Sequence, residues 1–278
     1  MQIYQVDAFA EKIFTGNPAA VIPLKEWISD ELMQDIAIEN NLSETAYFVK
    51  NENGYHIRWF TPDFEIDLCG HATLASAFVI KKYLEPEIEV INFSTQKVGS
   101  LKVICMDGMF TLDFPARVPQ PCNPPNELFP SLGIDHAVEV LKSRDYFVVV
   151  EDEDALLSVK PDYNFMRQLD TIGVIVTAKG KSAEIVSRCF YPGIAFQEDP
   201  VTGSAHCNII PYWSEKLGKN KFLAKQLSKR GGDIWCELKG DRVLIGGKAV
   251  EYMKGTITPT LSAANGMPSL KLRQPMGL

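Results

Sequence analysis

Asp67-Leu68-Cys69-Gly70-His71-Ala72-Thr73-Leu74-Ala75-Ser76-Ala77-Phe78-Val79-Ile80 runs from an acidic residue, through a glycine, into a stretch with no charge between Ala72 and Ile80. A helix without a polar face belongs inside a core, not on a surface. A second segment of the same design follows later. Glu198-Asp199-Pro200-Val201-Thr202-Gly203-Ser204-Ala205-His206 leads into a run that reaches Trp213 without charge if His206 is neutral. Pro211 lies in that second run and predicts a kink or an early end, because proline lacks the N–H that an interior helical residue donates.

The two segments are parts of a longer repeat. Arg58-Trp59-Phe60-Thr61-Pro62 matches Arg188-Cys189-Phe190-Tyr191-Pro192 at a displacement of 130, Gly70 matches Gly203 at 133, and Gly99 matches Gly232 at 133. The order is conserved between the copies, which points to an internal duplication. Around these positions the sequence reads as strands. Tyr55–Phe60 and Leu101–Phe114 are rich in β-branched and aromatic residues, and Asp107-Gly108 breaks the latter as a hairpin turn. Gly240-Asp241 does the same within Ile234–Ile245, and a helix is predicted over about Ser29–Glu39. Each half then reads as a mostly antiparallel sheet curled around one central helix, made twice: an α+β fold. Five prolines between Pro115 and Pro125 interrupt regular structure, so the boundary is placed there, with lobes of residues 1–115 and 116–278. The segment 259–278, rich in Pro, Gly and Ser, is assigned to the second lobe or returns to the first.

Composition narrows the function. With 278 residues, 46% of them apolar, the chain can bury a sizeable core, and a net charge of −7 without a basic cluster argues against nucleic acid as a partner. No apolar run is long enough to span a bilayer, and the first residues read as a strand rather than a leader, so a cytoplasmic location is expected. The six cysteines, Cys69, Cys105, Cys122, Cys189, Cys207 and Cys236, form no C-x-x-C pair and read as reduced thiols. Four histidines without a Cys/His cluster give no support for a metal.

The chemistry is expected where the helices begin. The first N–H groups of a helix have no partner within it, and with the helix dipole they attract anions such as carboxylates. If the halves face each other, the starts at Gly70-His71 and Gly203-Ser204 open into one cleft suited to a small carboxylate-bearing substrate; each glycine could equally serve only a tight turn. Glu44, in Ser43-Glu44-Thr45 at the start of an apolar strand, could be merely exposed, or a general acid/base if a closed cleft desolvates it. His71 could be a base, a substrate orienter or a capping group. Asp199 could simply be an acid before a helix, and His206 reads as a hydrogen-bonded core residue. Asp7 and Asn17 read as ordinary strand-end or turn residues.

Gly16-Asn17-Pro18-Ala19-Ala20-Val21, Asn41-Leu42-Ser43-Glu44-Thr45, Phe60-Thr61-Pro62, Asp67–Thr73 and Glu198–His206 together resemble the PhzF-like phenazine-biosynthesis family, from Asp7 to the region of Gly246. The resemblance implies a fold akin to diaminopimelate epimerase, with two pseudosymmetric lobes, each a curved sheet around a central helix. It also implies a homodimer and an isomerase without a cofactor. In that family a glutamate moves a proton within a cyclic, conjugated carboxylic acid; the matching residue is Glu44. The helpers implied are His71 and Asp199, with Gly70, Gly203, Ser204, Ser43 and Asn17 contacting substrate. Phenazine synthesis itself is not implied.

Three rivals are weighed. A two-base racemase or epimerase would use one cysteine per lobe, but the mate of Cys69 before Gly203 is Thr202, whose hydroxyl is far too weak an acid. A covalent Cys69 nucleophile activated by His71 or His206 is disfavoured by the closeness of residues 69 and 71 at a turn. On this reading Cys69 is a remnant of the shared scaffold. A protein that only binds a small molecule would have no need of Glu44.

Overall fold

The structure is a computed structural model and describes residues 1–193 and 197–259. The segment 260–278, with most of the uncertain C-terminal stretch, lies outside the described residues. The first half contains β1 (Gln2–Ala8), β2 (Asn17–Leu24), α1 (Asp30–Asn40), β3 (Glu44–Asn51), β4 (Gly54–Phe60), β5 (Glu65–Ile66), α2 (Gly70–Val79), β6 (Val90–Ser94), β7 (Ser100–Met106) and β8 (Met109–Pro115). The second contains β9 (Gln120–Pro121), α3 (Leu128–Leu132), β10 (Glu139–Lys142), β11 (Tyr146–Val149), α4 (Glu153–Ser158), α5 (Tyr163–Met166), β12 (Val174–Lys179), β13 (Ile185–Phe190), β14 (Glu198–Asp199), α6 (His206–Leu217), β15 (Lys221–Gln226), β16 (Gly232–Lys239), β17 (Arg242–Gly247) and β18 (Ala249–Thr256).

The strand pairings repeat element for element. In the first half β1–β2 is antiparallel, β2–β3 parallel, β3–β4 and β4–β5 antiparallel, β4–β6 parallel, and β6–β7 and β7–β8 antiparallel. In the second, β10–β11, β11–β12, β12–β13, β13–β14, β13–β15, β15–β16 and β16–β17 follow the same sequence of senses. The repeated arginine has the same task in both copies. Arg58 grips Glu65 with two bonds of 2.7 Å, and Arg188 grips Glu198 with bonds of 2.8 and 3.1 Å. Each bidentate pair ties its strand to the short strand that precedes the buried helix.

One antiparallel pairing, β8 with β17, joins the halves. Leu112 faces Ile245 there, and 245 − 112 is 133, the displacement of the glycine repeat. Each is therefore paired with its own counterpart, and the local two-fold axis of the duplication passes between them. Both are fully buried in the main core, which also contains Leu74 and Ala75 of α2 and Ile209 and Ile210 of α6. Alternation along the strands separates this core from an outer one. Ala19 and Val21 of β2 face α2, while Ala20 and Ile22 face Met33, Ile36 and Ala37 of α1. β18 also crosses back to pair along the whole of β1, while β9 adds to β10 within the second half.

Both hairpins form where the turn residues place them. Asp107 and Gly108 have φ of 51° and 74°, the double positive φ of a type I′ turn. Helix α1 starts at Asp30, capped by the Ser29 hydroxyl accepting from Leu32 N–H, and stops at Asn41, whose left-handed φ of 47° turns the chain into β3. All six cysteines are free.

Three expectations are corrected. Helix α6 neither stops nor frays at Pro211 but runs to Leu217. The carbonyl that Pro211 cannot serve is that of Cys207, four residues earlier, and it accepts instead from Arg117 N–H at 2.8 Å. A segment ninety residues away in sequence thus supplies the missing donor. The α6 glycine start is also not α-helical from the first residue, since Gly203–Ala205 forms a 3₁₀ turn before it. The proline-rich stretch does enter the sheet, as β9; an edge strand with a single neighbour tolerates the absent N–H of Pro121.

Truncating either residue at the two-fold axis opens a cavity in an apolar core. Leu112→Ala and Ile245→Ala should each cost about 2–5 kcal/mol of unfolding free energy, measured by denaturant titration. The double variant should deviate from the sum of the two, because the side chains share one space.

Candidate active site

The strand starts and helix starts converge at the axis. A Cβ added to Gly70 would lie 3.9 Å from the Gly203 Cα, and 3.6 Å from the Phe114 ring. The two turns leading into α2 and α6 therefore almost touch. Glu44 is the first residue of β3 and Asn17 the first of β2, so both lie at the same strand ends, next to the start of α2.

These residues form one buried cluster. His71 Nε2 lies 2.9 Å from Glu44 Oε2, with both side chains about nine-tenths buried. The two atoms touch, but neither is aligned for a hydrogen bond. On the other side of the ring, Nδ1 is 3.2 Å from the Asn17 amide nitrogen and 3.4 Å from Cys69 Sγ. Asn17 connects the halves. Its amide donates to Asp199 Oδ1 at 2.7 Å and to the Val201 carbonyl at 2.9 Å, while its own Oδ1 accepts from Ser43 Oγ at 3.3 Å. That orientation is fixed, since reversing the amide would set its oxygen against the Asp199 carboxylate.

Asp199 is held on its second oxygen by the Thr202 hydroxyl at 2.5 Å, and Gln226 ties Asp199 O and Thr202 N–H together. Burial pushes the Asp199 carboxyl up to about 6, helped by the Glu44 charge and opposed by His71, Thr202 and Asn17. Burial also pushes the Cys69 thiol up to about 11. For His71, burial works against the imidazolium, while Cys69 and Glu44 work for it and carry the balance upward. A thiol still protonated near neutral pH contributes little charge, so Glu44 is the neighbour that favours a ring proton, and it does so from the Nε2 side.

The sequence expectations fare unevenly. Glu44, His71, Asp199, Ser43 and Asn17 come together, and Gly70 and Gly203 meet beside them. Ser204 lies half-buried in the 3₁₀ turn. His206 is fully buried, within 2.9 Å of the Thr202 carbonyl through Nδ1, and burial lowers it to about 4, as suits a neutral core residue. Asn17 is no ordinary turn residue, and Asp7 is buried, accepting from Arg230 and Phe14 N–H at 2.8 and 2.9 Å. Residues 69 and 71 do meet, contrary to the argument from their spacing, because the turn before α2 lets the thiol reach the ring. What disfavours a Cys69 nucleophile is the raised thiol, not the geometry. Thr202 and Gln226 were not anticipated: their role depends on contacts with Asp199 that no local pattern announces.

Glu44, Cys69 and His71 also bring an oxygen, a sulfur and a nitrogen within 4.8 Å of one another, the donor set of a metal site. The arrangement does not suit one ion, because Cys69 faces Nδ1 while Glu44 faces Nε2, and a single metal cannot lie on both ring nitrogens. Among the described residues, no helix is long and apolar enough to cross a membrane.

The family described as phenazine biosynthesis-like protein, PhzC-PhzF, matches residues 6–255. The chain belongs to the PhzF-like isomerase family. An uncharacterised isomerase of Pseudomonas aeruginosa is 48% identical, over 92% of this chain and 98% of its own. The crystal structure of a PhzF-family phenazine biosynthesis protein from Enterococcus faecalis superposes with a TM-score of 0.88 at 47% identity, covering 91% of this chain and 97% of that one. The fold extends further: a hydroxyproline epimerase of Agrobacterium vitis, solved with trans-4-hydroxy-L-proline, shares it with a TM-score of 0.58 at 14% identity, over 92% and 91% of the two chains. The PhzF-like chain thus has the two-lobed, diaminopimelate epimerase-like α+β architecture.

A carboxyl whose native value is raised binds its proton more tightly in the folded state. Its stabilising effect is therefore full at low pH and is lost as pH rises from 3.8 to about 6. Asp199→Asn removes that titration. The melting temperature of wild type minus that of the variant should fall across this interval and level off above it.

Proposed function

We propose that the protein is a cofactor-independent isomerase that moves a proton within a small carboxylate-bearing substrate, with Glu44 as the general acid/base. The observation that carries this reading is the buried Glu44–His71 contact at 2.9 Å, unaligned and without other hydrogen bonds at the touching atoms, next to the abutting glycines of two helix starts. Lobes 1–115 and 116–278 form the two walls of the cleft in this proposal. The substrate carboxylate docks on N–H groups near Gly70 and Gly203, assisted by Ser204, Ser43 and Asn17. Glu44 then takes a proton from one carbon, the released electron pair shifts through the conjugated system, and the Glu44 carboxyl, whose proton exchanges with solvent, delivers a proton to another carbon. The molecular formula is unchanged and no co-reactant is needed. His71 and Asp199 supply fixed dipoles and protons to the charge that develops, which stabilises the transition state without reorganisation.

The rival with two thiol bases finds no support. The Cys69 counterpart, Thr202, uses its hydroxyl to hold Asp199, and the Cys69 thiol is held at about 11. The family resemblance further leads us to propose a cytoplasmic homodimer, which sedimentation at micromolar concentration would reveal as a particle of twice the chain mass.

Glu44→Gln keeps the shape of the side chain and removes its proton transfer. Turnover of a panel of small cyclic carboxylates in deuterated water, followed by deuterium incorporation, should fall about 10²- to 10⁴-fold while binding by calorimetry persists. If the variant incorporates deuterium as fast as wild type, the acid/base role of Glu44 is wrong. Equal binding by both proteins with no exchange by either would favour a binding protein.

A further inference from the structure

Cys69 has no part in the chemistry above, yet it is built into the site with some care. It is 5% exposed, and its carbonyl accepts from both the N–H and the hydroxyl of the fully buried Thr73, at 3.2 and 2.5 Å. This fixes the residue immediately before α2 and leaves Sγ 3.4 Å from His71 Nδ1. A sulfur–nitrogen separation of that size is within hydrogen-bond range, and a thiol that keeps its proton is a donor.

The surroundings decide the direction of the contact. Two side chains face Nδ1, Cys69 and Asn17, and both present donors. Asn17 has two amide hydrogens, already directed to Asp199 Oδ1 and the Val201 carbonyl, both closer than the 3.2 Å to the ring. The thiol hydrogen is the one left uncommitted. A proton on Nδ1 would meet the Asn17 N–H head-on, whereas a proton on Nε2 lies on the side of the Glu44 carboxylate, 2.9 Å away though not in line with it.

We propose that Cys69 is a positioning residue, whose S–H donates to Nδ1 of His71 and so keeps the imidazole proton on Nε2, facing Glu44 and the substrate. This rests on the reading of Glu44 and His71 as the working pair and adds how the tautomer is set. Which ring nitrogen carries the proton is governed by the bond made by the other one, and a histidine with its proton on the wrong side cannot serve a group on the Glu44 side. The duplication lends this weight. In the second half the same position is Thr202, also a side-chain donor, and its hydroxyl likewise holds an ionisable residue of the site, Asp199.

The tautomer can be read without any substrate. The full chain is labelled with ¹⁵N-histidine, and the His71 signals are identified by their absence from His71→Gln. In wild type, at a pH above the raised His71 value so that the ring is neutral, Nδ1 should resonate as an unprotonated ring nitrogen and Nε2 as an N–H. Cys69→Ser, which retains a donor, should keep that pattern. Cys69→Ala should lose it, the two nitrogens moving towards each other as the tautomers mix. A protonated Nδ1 in the neutral ring of wild type overturns the proposal, and so does a Cys69→Ala spectrum identical to wild type. The first of these needs only the His71→Gln variant, for assignment. Neither result depends on Glu44→Gln, so failure here and failure of the acid/base reading are told apart.

Discussion

The antiparallel pairing of Met109–Pro115 with Arg242–Gly247 sets the positions of nearly everything else in the molecule. It lays each half beside its own copy with the axis between Leu112 and Ile245, and this brings Gly70 against Gly203. Two buried helices then begin at one place, from opposite sides, with the strand ends carrying Asn17 and Glu44 nearby. A slip in the β8–β17 register would part the walls of the site without touching an ionisable group. The return of β18 to β1 reinforces this arrangement, since that outer strand is hydrogen-bonded to the half that did not lead into it.

What could be seen in the sequence was whatever is encoded locally or by repetition. The Asp107-Gly108 turn needs φ values that few residue pairs accept, so the hairpin around it is readable from two letters. The uncharged run after Gly70 signals a buried helix, and its recurrence after Gly203 signals a duplication. The arginines at 58 and 188 marked the repeat before their common function, gripping Glu65 and Glu198, could be known. Distance along the chain hid the rest. Pro211 should break a helix on local grounds, and it does not because Arg117 meets the vacant Cys207 carbonyl. Asn17 reads as a turn residue because its partners Asp199 and Val201 lie more than 180 residues away.

The site was legible in its members but not in its wiring. Glu44, His71 and Asp199 were all marked by their motifs, with the family resemblance assigning roles that the residues alone left open. Their order of contact, Glu44 to His71 to Asn17 to Asp199, follows from the fold. So do the raised carboxyl of Asp199 and the raised thiol of Cys69, both produced by burial that no motif displays. The spacing argument about residues 69 and 71 failed for a related reason: it treated the turn as rigid, whereas the extended backbone at Cys69 carries the sulfur back over the imidazole.

The duplication is kept in the strand pairing and broken in the chemistry. Through the matched strand registers, the mate of Glu44 is Gly173, and the place where a side chain would go is filled by the Tyr191 ring, which would lie 2.4 Å from an added Cβ. The mate of His71 is Ser204. Glu44, the proposed base, thus stands on one wall and faces no equivalent across the axis. A planar substrate lying between the walls would meet its base from one side only, so a proton lifted and returned by the same carboxylate would travel suprafacially. Inversion of a stereocentre requires a donor opposite the acceptor, and in this chain that second seat is occupied by an aromatic ring.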